Sequence, residues 1–222
     1  MTTDLPVIER SIVASTHGRY LVAPSSVAGP APLLVGFHGY AESANTQLER
    51  LRSIHGAEGW LLASVQGLHL FYRGRTREVV ASWMTRQDRE LAVADNIVYV
   101  AGVMDAIVRE WAVAPSLVFA GFSQGVAMAF RAAAASARRV SGVIALGSDV
   151  PPELDASTLG HIPAALVGRG VKDEWYSAET FSRDVQRLRE ANVDVLPFEF
   201  DGGHEWSAAF NHAAGTFLGR CR

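Results

Sequence analysis

The sequence predicts an α/β fold, a mostly parallel sheet with helices on both faces and an antiparallel hairpin at its N-terminal edge. Three observations carry this. Short apolar runs alternate along the chain with longer stretches of helical periodicity, the pattern of βαβ units. Pro32 to Phe37 is apolar throughout rather than alternating, which fits a strand buried on both faces of a parallel sheet. No internal repeat, low-complexity tract or long Gly/Ser linker divides the chain, so residues 1–222 are expected to form one domain with no large separate lid.

Taken in order, Ile8 to Ser15 and Arg19 to Ala23 read as strands around Thr16-His17-Gly18, the opening hairpin. Pro32 to Phe37 follows and ends at His38-Gly39. Ser43 to His55 reads as a helix, with Leu48, Leu51 and Ile54 about a turn apart. Trp60 to Val65, Leu117 to Ala120, Val140 to Leu146, Ile162 to Val167 and Val193 to Phe200 are the further strands. Helical patterns lie between them, from about Arg86 to Trp111, Gln124 to Ser136, Ser177 to Ala191 and Glu205 to Leu218. Gln66 to Thr85 has no clear periodicity, and loops of that length are often functional.

Composition narrows the function. Twenty Lys and Arg against 23 Asp and Glu leave a net charge of −3 and no basic field, so nucleic acid is not an expected partner. No unbroken apolar run reaches the roughly 18 residues of a membrane span. Met1-Thr2-Thr3-Asp4-Leu5-Pro6 has neither the basic nor the apolar region of a secretory signal. The single cysteine, Cys221, makes no internal disulfide and builds no zinc site alone. A cytoplasmic setting is expected.

The strongest chemical signal is Gly121-Phe122-Ser123-Gln124-Gly125, directly after one predicted strand and directly before a helix. A sharp strand-to-helix turn of this kind projects a serine hydroxyl above the sheet. The helix beginning at Gln124 aims free N–H groups at the reacting centre. A serine hydroxyl needs a base, and three histidines follow it: His161, His204 and His212. His161 stands at a strand entrance, the wrong end for catalysis, and His212 falls inside the last helix. His204, in Asp201-Gly202-Gly203-His204 after a strand, is the candidate base. The acid is expected after the preceding strand, where Asp173 is favoured over Glu174, with Asp149 and Asp201 as further candidates. Backbone N–H groups of Gln124 and of Tyr40, in the loop Phe37-His38-Gly39-Tyr40-Ala41, are the candidate oxyanion donors. His38 is expected to brace that loop rather than act as a second base.

Gly121-Phe122-Ser123-Gln124-Gly125, with His38-Gly39, Asp173 and Gly203-His204, resembles the acyl-protein thioesterase and phospholipase/carboxylesterase family of the α/β-hydrolase fold. The resemblance runs from about Leu33 to Leu218. It implies a cofactor-free, metal-free serine hydrolase, with Ser123, Asp173 and His204 as the triad. The chain departs from the family pattern at Val126, where a second glycine is common, and at Glu174-Trp175-Tyr176 after the aspartate.

The expected activity is therefore hydrolysis of a small-molecule carboxylic ester through an acyl-enzyme. A thioesterase, a lysophospholipase, an acyltransferase or a non-catalytic binder on the same fold are the alternatives. Trp83, Trp175 and Trp206 are candidate walls of the substrate pocket. Arg73, Arg75 and Arg77 read as a solvated surface, and Cys221 has nothing to activate it.

Overall fold

The computed structural model describes residues 6–222. Residues 1–5, from which the absence of a signal segment was read, lie outside the described residues. In chain order the elements are β1 (Tyr20–Ala23), β2 (Ala31–Phe37), α1 (Ala44–Ser53), β3 (Leu61–Val65), β4 (His69–Arg73), β5 (Glu78–Ser82), α2 (Arg89–Glu110), β6 (Val113–Phe122), α3 (Gln124–Ala135), β7 (Gly142–Leu146), α4 (Ala156–Leu159), β8 (Ala164–Gly170), α5 (Ala178–Glu190), β9 (Asp194–Phe200) and α6 (Ala208–Arg220).

Successive side chains of a strand go to opposite faces, and this period of two builds two cores from one sheet. Leu33, Val35 and Phe37 join one cluster, while Leu34 of the same strand joins the other. Phe119 and Val143 likewise face away from Val118 and Ile144. On the first face lie Val103 and Ile107 of α2, Phe130 of α3 and Leu188 of α5; on the second lie Leu51 of α1 and Phe210 and Phe217 of α6. Both faces being covered is why the central strands read as unbroken apolar runs.

The sheet has seven strands in the order β1-β3-β2-β6-β7-β8-β9. All neighbours run parallel except β1, which pairs antiparallel with β3, Tyr20 facing Val65 and Ala23 facing Leu62. The predicted fold class is thus the observed one, with its antiparallel edge, but the partner of Arg19 to Ala23 differs. Ile8 to Ser15 has no regular secondary structure. Glu9-Arg10-Ser11 breaks the alternation that would give that segment one apolar face, and Ile12 and Val13 both stay exposed.

Two further elements were not expected. Gln66 to Thr85 contains the antiparallel hairpin β4–β5, with His69 opposite Ser82 and Arg73 opposite Glu78. α4 is a single turn capped by Asp155. Helix α2, though broken by charges, is long and apolar enough by composition to cross a membrane. Here it lies on the sheet, burying Val100, Val103, Met104 and Ile107 and turning Glu90 and Asp105 outward.

Because the strands are parallel, the C-terminal ends of β2, β6, β8 and β9 emerge at one edge of the sheet. Phe37, Phe122, Gly170 and Phe200 mark that edge, and the loops leaving them carry the candidate residues.

Candidate active site

Ser123 stands alone between β6 and α3, at φ 50 and ψ −125. A non-glycine residue in this region costs on the order of 1–3 kcal/mol, and the surroundings must hold it there. Its N–H donates to the Leu146 carbonyl at 2.9 Å, tying the turn to the end of β7. No side chain fits on either flank: a Cβ on Gly121 would lie 2.3 Å from the Gly125 carbonyl oxygen, and one on Gly125 would lie 2.1 Å from that of Phe37. The glycines of the motif are therefore required by close backbone approach.

His204 Nε2 lies 2.9 Å from Ser123 Oγ, and His204 Nδ1 lies 2.8 Å from Asp173 Oδ2. The other carboxylate oxygen, Oδ1, accepts the N–H groups of Trp175 at 2.8 Å and Tyr176 at 3.0 Å. The Asp173 side chain is 1% exposed, so its charge faces these donors rather than water. Two backbone bonds stitch the loops after β8 and β9 together, Val171 N–H to Phe200 O and Lys172 N–H to Gly202 O, each 2.9 Å. The imidazole and the carboxylate are thereby placed by one double loop. Of the other acid candidates, Glu174 is exposed, Asp201 pairs with Lys172 at 2.6 Å, and Asp149 accepts from the Ser148 hydroxyl; none of them is bonded to His204.

The proposed oxyanion donors are tied to each other through β5. Gln124 is the first residue of α3, so its N–H has no acceptor within the helix. Its side chain accepts the Trp83 N–H at 2.9 Å and donates to the Met84 carbonyl at 3.0 Å, fixing the chain just past β5. In the Tyr40 loop, the Gly39 N–H goes to Glu42 Oε2 at 2.7 Å and the Ala41 N–H to the Ala81 carbonyl at 3.0 Å. The Tyr40 N–H between them finds no acceptor among the described residues. Burial would raise the Glu42 carboxyl, but Arg50, bound to both of its oxygens at 2.6 Å, holds it below the ordinary range. Neither Glu42 nor Arg50 was found from sequence: eight residues apart and in different elements, they give no local signal.

His38 is fully buried and braces this loop. Nδ1–H donates to the Gly39 carbonyl at 2.7 Å, and Nε2 accepts the Gly67 N–H at 3.0 Å, an arrangement that only the neutral ring can make. Burial holds its pKa below the ordinary 6.5. The unfolded chain takes up this proton near 6.5 and the folded chain resists it, so stability present above that pH drains as the pH falls below it. The contribution has a slope of at most about 1.4 kcal/mol per pH unit. Urea denaturation from about pH 7 to pH 5 is expected to show a shallower loss in His38→Gln than in the natural chain. Equal slopes would remove the assignment.

The three tryptophans part company. Trp206 lines the cleft over Ser123. Trp83 does not: it is fully buried, its indole N–H donates to the His38 carbonyl at 2.8 Å, and its ring packs on Phe37. Trp175 is 85% exposed and outside the cleft, because it is its N–H that turns inward to Asp173. Arg73 pairs with Glu78 and donates to the Ala41 carbonyl, while Arg75 and Arg77 stay exposed in the hairpin turn. Burial raises the Cys221 thiol to about 11, which leaves it inert at neutral pH.

A parallel sheet of this topology, with a strained serine after a central strand and a histidine and buried aspartate at the same edge, gives the chain the α/β-hydrolase fold. Within that class, the phospholipase/carboxylesterase family is the one whose model the chain matches, over residues 79–167, and the resemblance read from the sequence holds. That segment contains Ser123 and Gln124 but ends before Asp173 and His204. No curated protein matches the chain. Among solved structures, esterase PE8 superposes with a TM-score of 0.70 at 19% identity, over 93% of this chain and 100% of that one. SOBER1 of Arabidopsis thaliana gives 0.69 at 17% identity, over 86% and 98%. The Bacillus cereus carboxylesterase gives 0.69 at 15% identity, over 92% and 95%. At these identities the likeness is one of fold.

Proposed function

We propose that the chain is a serine carboxylic ester hydrolase that works through an acyl-enzyme, with residues 1–222 acting as one catalytic domain in a cytoplasmic setting. The observation that carries this is the unbroken series from Ser123 Oγ through His204 to Asp173, at 2.9 and 2.8 Å, ending on a carboxylate already bonded to two backbone N–H groups.

In this reading His204 Nε2 takes the proton as Ser123 Oγ attacks the ester carbonyl. Asp173 keeps the other ring nitrogen protonated and stabilises the imidazolium that forms. The N–H groups of Gln124 and Tyr40 receive the oxyanion, each such donor being worth roughly 100- to 1000-fold in rate. His204 returns its proton to the leaving alcohol. It then activates water, which releases the acid and restores the serine.

A fluorophosphonate probe tests the assignment directly. One adduct per chain is expected, on the peptide containing Ser123, with none on Ser123→Ala. A folded chain that takes no adduct would favour a binding protein on a hydrolase fold, and an adduct elsewhere would remove Ser123 as the nucleophile.

A further inference from the structure

We propose that the site selects esters of short acyl chains with hydroxylated, non-anionic alcohols, a substrate class that rests on the hydrolase reading above. The cleft opening on Ser123 and His204 has a volume of about 500 Å³. Its apolar surface comes from the rings of Tyr40, Phe122 and Trp206, and the Phe122 ring already carries the Arg50 guanidinium 4.1 Å above its centre. The remaining wall is polar: Thr46, Glu49 and Ser53 from the side of α1, and Glu205 and Asn211 from the other, with the Ser53 hydroxyl donating to Asn211 Oδ1 at 3.0 Å where the two sides meet.

A long acyl chain is held by burying methylenes against apolar wall, and here it would strip water from the carboxylates of Glu49 and Glu205 while replacing none of those hydrogen bonds. Hydroxyl groups both donate and accept, so a small polyol replaces that water. The aromatic ring of Trp206, fixed by its indole N–H on Asn211 Oδ1 at 2.6 Å, offers a flat face among them.

Charge sets the sign. Glu42 and Arg50 neutralise each other, and Glu49 pairs with Arg52 at 2.8 Å. Glu205 has no cationic partner among the described residues; its carboxylate accepts only the Gly203 N–H, at 3.2 Å. The cleft therefore carries an uncompensated negative charge beside the catalytic histidine, which opposes an anionic substrate.

The experiment measures kcat/KM for p-nitrophenyl acetate, butyrate, octanoate and palmitate, and for glycerol monoacetate against acetoxyacetate. Acetate and butyrate are expected to lead, octanoate to fall by at least about tenfold, and the neutral polyol ester to exceed the anionic one by about tenfold. Thr46→Leu with Ser53→Leu is expected to raise octanoate relative to acetate, and Glu205→Gln to narrow the gap between the neutral and anionic esters. Rates that rise toward palmitate, or equal use of acetoxyacetate, would overturn the proposal while leaving the hydrolase reading intact. Failure of folded protein to turn over any ester would take down both.

Discussion

Ser123→Ala is expected to lower kcat by on the order of 10⁵-fold or more while leaving the protein folded. The hydroxyl oxygen is the only atom lost, and it lies 2.9 Å from His204 Nε2 with no other hydrogen-bond partner among the described residues. Alanine inherits the same backbone at φ 50, so the strain of the turn is neither relieved nor increased. The Ser123 N–H, the bond that anchors the turn to Leu146, is untouched. Hydrolysis of p-nitrophenyl acetate and the thermal midpoint should be measured together. Near-complete loss of turnover at an almost unchanged midpoint is the expected pair. Retention of more than about a hundredth of the rate would mean that Ser123 is not the nucleophile.

Asp173→Asn is expected to cost about 10⁴-fold in kcat, and the reason lies in which way an amide must sit. Oδ1 accepts two backbone N–H groups, from Trp175 and Tyr176, and only an oxygen can do so. The asparagine carbonyl must therefore take that side, which turns its NH₂ toward His204 Nδ1. The imidazole then accepts at Nδ1 and carries its proton on Nε2, the nitrogen that should receive the proton of Ser123. The wrong tautomer is forced by the backbone of the neighbouring turn, with little change in packing. Steady-state kinetics and the ¹⁵N shifts of the His204 ring would check both halves. Unaltered ring protonation, or a loss of less than about tenfold, would remove Asp173 from the assignment.

How much of this was legible depends on how local each signal is. The elbow around Ser123 is contiguous, and its glycines are dictated by backbone so close that an added Cβ would lie 2.1 or 2.3 Å from a carbonyl oxygen, so the pattern appears whole in the sequence. The order of strand, serine, strand, aspartate, strand, histidine is likewise written along the chain. The hairpin β4–β5 was missed although Leu70-Phe71-Tyr72 and Val79-Val80 flank a Gly74 turn, a readable hairpin signal. It lies outside the main sheet with its strands largely exposed, so its residues carry no long apolar run. Trp83 and Trp175 were misplaced for another reason. Their positions in the chain are right for the active-site edge, but a side chain's direction depends on what its backbone must satisfy.

The sequence by itself carried the α/β class, the elbow motif and the resemblance to a family, because periodicity and that motif are properties of neighbouring residues. Only the tertiary structure decided which strand covers the N-terminal edge. It also showed that Trp206 alone of the three tryptophans lines the cleft, and that Glu49, Glu205 and Asn211 line it with the aromatic rings. These outcomes rest on pairings such as Glu42 with Arg50, Gln124 with Trp83 and Asn211 with Trp206. Each joins groups from different elements, where burial forces every donor and acceptor to find a partner that local sequence does not name.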